Sequence, residues 1–352
     1  GGVSDVKIEY VVPPLAGSVV FYCDYAFSLQ FQRLTMVQTG TLCRLGLSMT
    51  HLAGEIRVDD VNGTVANAGF PCIALMYGTG FFMTNCHIFV YGVGLPALPS
   101  TPLTTVTGTN VISTADGLYW DTAQFVNCIF ERFDRGLFGY AQSTASYMTF
   151  RFTNVVFDFF AKEAVYLDSG GGGSISNIRF DSNCWYSSWS EAAIKVSAAA
   201  GYCDKLHFSG DISWAGKEGV VYYNPTAKEC IFTGMSVSGV NKVGGTTAAM
   251  LFQGGSKGFY VSNVIGNHIA NAPFATTQAT YGIVIGPDCD NYMVTGCSFE
   301  GSTLGYALTA NTVASANRKV YNNIHANYAS GSVASVPAST VARQMADSPM
   351  IT

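Results

Sequence analysis

The segment FVNCIFERFDRGLFG, Phe125–Gly139, holds two acids, two arginines and little other polar surface. Its opening, F-x-N followed by alternating apolar residues, returns 27 residues later in FTNVVF, Phe152–Phe157. Taking the Asn as an anchor, the same context recurs at Asn85, Asn127, Asn154, Ser182, Gly210, Gly234, Asn263, Gly296 and Asn323. After a first gap of 42, the spacings are 27, 28, 28, 24, 29, 33 and 27. A period in that range is the signature of a coil-repeat architecture, in which each repeat buries its apolar face only against its neighbours.

Phe125, Phe152, Phe180, Phe208 and Phe232 stand two residues before consecutive anchors. Four before the anchors stand Phe81, Ala123, Phe150, Ile178, Leu206, Cys230, Phe259 and Tyr292, with Lys319 ending the series. A period of two places both columns on the inward face of a short strand. Asn or Gly at the anchor suits a left-handed turn. Alternation resumes beyond it, and a further strand follows (GLFGY, AVYLD, AIKVS, VVYYN, AMLFQ, GIVIG, YALTA). About three short strands per repeat of about 28 residues predict an all-β, right-handed parallel β-helix. The simplest partition is N-terminal strands and first coils or cap over 1–60, the β-helix over 61–328, and a small-residue tail over 329–352.

Composition agrees. Charged residues are 12%, apolar ones 48%, and there are 38 Gly, 23 Phe and 19 Tyr, which excludes disorder and favours strands with tight turns. A net charge of −5 gives no reason to expect nucleic acid. No run of about 18 apolar residues reads as a membrane helix. The first residues lack the pattern of a signal peptide. The ten cysteines are spread singly, without metal-ligand spacing, and read as inward free thiols of a protein made in a reducing cytoplasm. No metal and no cofactor is expected: the five histidines are scattered, and DSGGGGSIS lacks the lysine and following helix of a phosphate loop.

Outward positions carry the function. Four residues after the anchors stand Phe89, Glu131, Asp158, Tyr186, Trp214, Ser238, Asn267 and Glu300. Glu131 and Asp158 are thereby neighbours one coil apart. Two carboxylates this close resist simultaneous ionisation, so one keeps a proton for a leaving oxygen while the other serves as nucleophile or base. The bland alternative is a pair of solvated surface acids. Asp134, next to Arg132 and Arg135, reads as a structural turn acid. Trp185, Trp189 and Trp214, with Tyr186 and Asp211, form a candidate sugar-stacking platform; an anchor at Asn183 instead of Ser182 would turn Tyr186 inward and Trp185 outward. The third strand's outward column, Phe138, Tyr166, Lys195, Val221, Leu251, Val284 and Ala307, is mostly apolar and reads as covered by loops or by other copies of the chain.

At its stacked F-x-N-C-x-F coils the chain resembles the pectate-lyase-like β-helix superfamily, in particular bacteriophage tailspike and capsule-depolymerase proteins, over about Gly80 to Tyr328. The resemblance implies a homotrimer that binds a bacterial surface polysaccharide, capsule or O-antigen, and cleaves it with surface acids. It further implies phage tail or baseplate partners, no membrane insertion, and a place in the virion after synthesis in the host cytoplasm, with secretion as the alternative. A polysaccharide lyase, drawing on Lys195, Arg179 or His207, and a non-catalytic receptor-binding spike remain competing readings.

Overall fold

In the computed structural model, residues 2–9, 19–39, 41–45, 52–65, 71–90, 110–114, 119–141, 147–181, 183–241, 243, 248–268, 279–299, 304–308 and 317–323 are described. They build a right-handed parallel β-solenoid. Strands before and after the anchors form one 17-stranded sheet, the third strands form an 11-stranded sheet, and Ser174–Ser176 pairs with Tyr202–Asp204 in a small third one. Stacking begins with the first strand, since Gly2–Glu9 pairs in parallel with Phe27–Thr39, which pairs with Ala53–Val65. The expected tail, 329–352, lies outside the described residues.

The five phenylalanines pile up inside the tube, all fully buried. Their successive centroid separations are 4.9, 4.5, 5.2 and 5.1 Å, with ring planes within 12° of one another. Coil spacing in parallel strands, about 4.7–4.9 Å, is what sets these distances. The second column follows suit, from Phe81 through to Phe259 stacked on Tyr292 at 5.0 Å. All ten cysteines are buried and free, and burial pushes the thiols of Cys184 and Cys297 up to about 11.

The corner at the anchors is built as expected. Asn85, Asn127, Asn154 and Asn263 have φ between 52° and 55°, and the asparagines form an amide ladder: Asn154 Nδ2 donates to Asn127 Oδ1 (2.9 Å) and Asn127 Nδ2 to Asn85 Oδ1 (3.2 Å). Asn127→Ala loses the ladder and places a Cβ-bearing residue without a local hydrogen-bonding side chain at positive φ, so it is expected to destabilise by about 1–2 kcal/mol. Asn127→Gly, which tolerates the angle, is expected to lose less. Urea midpoints of the two variants check this, and equal losses would show that the backbone angle is not the constraint.

Two registers differ from expectation. Val320, not Tyr321, stacks on Val294, and Arg318, not Lys319, is inward; the left-handed residue is Asn322. Arg318 is held inside because its Nε donates to the Cys289 carbonyl at 2.7 Å. The coil after Phe180 carries one residue more than its predecessor before Cys184, the next inward residue. Its anchor Ser182 lies outside the described residues. The following coil carries two fewer than that one, and one fewer than the coil after Phe232, so Gly210 aligns with Met235. A Cβ on Gly210 would sit 2.1 Å from the Cys184 carbonyl oxygen at φ 106°, which explains a glycine there.

Charges stack in alternation at the corner before the third strand. Counted back from the paired third strands, Asp134, Lys162, Glu191 and Lys217 occupy one position on successive coils. Lys162 Nζ lies 3.0 Å from Asp134, which is buried, and Lys217 Nζ 2.8 Å from Glu191. Asp134 is structural, as expected, but its partner is Lys162 of the next coil. Beside it, buried Glu163 accepts from Arg135 Nε at 2.7 Å, with Lys195 Nζ at 3.8 Å.

Candidate functional site

Glu131 and Asp158 are paired in register on adjacent strands, with Phe89 on the other side of Glu131. Both side chains are half-buried. The next member of the column is Ser187, not Tyr186: its hydroxyl donates to Asp158 Oδ1 at 2.6 Å and accepts from the Phe159 N–H at 2.7 Å. That N–H also reaches Asp158 Oδ1 at 3.0 Å. Phe159 has φ 54° and marks a bulge in the pairing with Trp185–Ser188. Such a bulge re-aims side chains at a sheet surface.

Burial raises the Asp158 pKa above its ordinary value, and the Glu131 carboxylate adds to the rise; the Ser187 hydroxyl and Phe159 N–H oppose it. Because the native state then holds the proton more tightly than the unfolded chain, stability falls as pH rises through the raised pKa. Asp158→Asn removes that dependence. The variant is expected to melt at or above wild type at pH 7 and to match it in acid, where both side chains are neutral. Melting curves from pH 3 to 8 check this, and a variant that melts lower at pH 7 would show that ionised Asp158 holds the coil together.

His87 completes the polar group, with Nε2 3.5 Å from Glu131 Oε1, and its ring lies against Phe89 at 5.5 Å. The Arg132 guanidinium lies 5.7 Å over the Phe89 ring. Neither His87 nor Ser187 stood out in the sequence. Both are diagonal neighbours of the acids, two positions or one bulge away from the fourth residue after the anchors.

The expected aromatic platform divides. Tyr186 is fully buried, its ring stacked 6.3 Å from Phe157 and its hydroxyl donating to the Ser209 carbonyl at 3.0 Å. The extra residue before Cys184 turns it inward, where no ligand reaches it. Trp185 is turned outward by the same shift, 42% exposed, and pairs with Val156 and exposed Asp211 two positions upstream of the acid column. Trp189 is 2% exposed, packed between Phe159 and Trp214, whose ring stacks on it at 4.9 Å. Trp214 pairs with Ser187 and is half-buried. Trp185 and Trp214 are thus the tryptophans of this group with surface to offer, on either side of Asp158 and Ser187, and Trp189 supports one of them from beneath.

Among the described residues no three His, Cys, Asp or Glu side chains gather as a metal site, and no helix is long and apolar enough to cross a membrane.

The stacked parallel strands place the chain in the class of right-handed parallel β-solenoids. No protein-family model matches it, and no curated protein does. Among solved structures, it is similar to the A-module of the mannuronan C-5 epimerase AlgE6 from Azotobacter vinelandii, at 14% identity and a TM-score of 0.35, over 93% of this chain and 91% of that one.

Proposed function

We propose that the chain binds a polysaccharide across the face that carries Glu131 and Asp158 and hydrolyses its glycosidic bonds. The observation that carries this reading is the in-register acid pair, in which Asp158 has a raised pKa and Glu131 lies in its immediate electrostatic field. Asp158, its pKa raised, is the general acid for the leaving oxygen; Glu131 is the nucleophile or the base for water. Trp185 and Trp214 supply flat apolar surfaces on which sugar rings stack.

The finer reading is a tailspike that depolymerises a bacterial capsule or O-antigen in the virion, attached to phage tail or baseplate proteins. It draws its support from the sequence resemblance. A trimer of parallel helices gains support from the outward column of the 11-stranded sheet: Phe138 stacks on Tyr166 at 5.6 Å, and beyond Lys195 half-buried Val221, Leu251 and Val284 resume the stripe. An apolar stripe of this kind is what a closed assembly covers.

Incubation with capsules and lipopolysaccharides from a bacterial panel tests the activity. A hydrolase releases reducing ends; a lyase also generates ultraviolet absorbance from the new double bond; a pure adhesin yields neither, and that outcome would remove the catalytic reading.

A further inference from the structure

Upstream of the Asn corner, a second outward column behaves unlike the charged corner described above. Arg151 pairs in register with Arg179, and Arg179 with His207, so cationic or potentially cationic side chains occupy one position on three successive coils. Like charges directly opposite each other across paired strands are destabilising. At the corner before the third strand, by contrast, stacked charges alternate in sign. Here Asp181 engages Arg179 at 2.7 Å and also accepts from Thr153 at 2.9 Å, while no carboxylate among the described residues forms an ion pair with Arg151 or Lys205.

These side chains are gathered around a cavity. Arg151, Arg179, Lys205 and His207, with Asn177 and a single acid, Glu229, line a cleft of about 470 Å³ that runs over four coils. His207 Nε2 is buried there with no hydrogen-bond partner. Burial, reinforced by Arg179 and opposed by Asp181, also holds the imidazole below its ordinary pKa. An oxyanion seated in the cleft would supply the acceptor and the negative charge that the column lacks. Guanidinium groups are suited to that task because their fork matches the planar or tetrahedral oxygens of carboxylate, sulfate or phosphate.

We infer that this cleft binds an anionic substituent of the ligand, so that the polysaccharide recognised by the chain is acidic. The inference rests on the reading of the neighbouring face as a polysaccharide site. Arg151 and Asp158 lie on one coil, seven residues apart around the Asn154 corner, at most about 23 Å along an extended chain. A single oligosaccharide lying across the corner therefore reaches both the cleft and the acid pair.

The test uses three fluorescent probes of matched length: oligogalacturonate, sulfated dextran oligosaccharide and neutral dextran. Binding is measured at low and high salt to wild type and to Arg151→Gln/Arg179→Gln. Both arginines are exposed, so their removal leaves the packed core untouched, which circular dichroism confirms. Expected is salt-sensitive binding of at least one anionic probe and weak binding of dextran. The arginine double variant is expected to bind the anionic probe about a hundredfold more weakly, at about tenfold per charge-assisted contact. The carboxylate and sulfate probes together show which oxyanion the cleft takes. Equal binding of all three probes, no binding of either anionic probe, or undiminished binding by the arginine variant would overturn the inference. If the arginine variant loses binding while wild type cleaves nothing in the bacterial panel, the catalytic reading falls and the cleft stands.

Discussion

Phe152→Ala is expected to be the most destabilising single change in the inner stack, at about 3–5 kcal/mol. Its ring lies between Phe125 and Phe180 at 4.9 and 4.5 Å, nearly parallel to both, and edge-on or tilted to Phe150 and Phe157. Truncation opens a void that two coils share, and the rigid backbone ladders on either side prevent those coils from closing onto it. A solenoid has only nearest-neighbour interfaces, so damage at one coil weakens its contacts with both sides. The urea midpoint reads the loss, and Phe138→Ala, on the outer face and half-buried, serves as the control with a loss of less than about 1.5 kcal/mol. A Phe152→Ala variant within 1 kcal/mol of wild type would mean that the ring column does not carry the fold.

The second large effect concerns the acid pair. Glu131→Gln and Asp158→Asn are each expected to lower the rate of polysaccharide cleavage by about 10²–10⁴-fold, the range for removal of a general acid or base. Wild-type activity should fall as pH rises and Asp158, whose pKa burial raises, ionises. Ser187 gives this profile a specific handle. Its hydroxyl stabilises the Asp158 carboxylate at 2.6 Å, so Ser187→Ala raises the Asp158 pKa further and moves the alkaline limb upward. A variant with lower activity and an unmoved alkaline limb would assign Ser187 a purely structural part; full activity in both acid variants would remove Glu131 and Asp158 from the chemistry while leaving the fold intact.

The fold was legible because two kinds of residue have few alternatives. An in-register ring column needs the same bulky residue at the same place, and Phe does this five times. A left-handed corner needs Asn or Gly, and the anchors supply them. Legibility failed where coil length changed by one residue. One extra residue before Cys184 exchanged the faces of Trp185 and Tyr186, since strand periodicity is two and a shift of one inverts every side chain. The same arithmetic made Tyr321 seem inward in place of Val320. Glu131 and Asp158 could be placed together because their two coils have equal phase. His87 and Ser187 escaped because contacts also run diagonally and through a bulge. The basic cleft escaped because its members lie on the outward positions before the corner, on a different column from the acids after it.

The charged corner has a consequence for how such a chain can grow or shrink. With Asp134, Lys162, Glu191 and Lys217 in sequence up the stack, excision of one repeat from the middle would bring acid beneath acid or base beneath base. Excision of two would restore opposite neighbours. Over this stretch the protein therefore has a parity: insertions or deletions in even numbers of turns preserve the electrostatic match, and odd numbers break it even though the apolar interior would accept either.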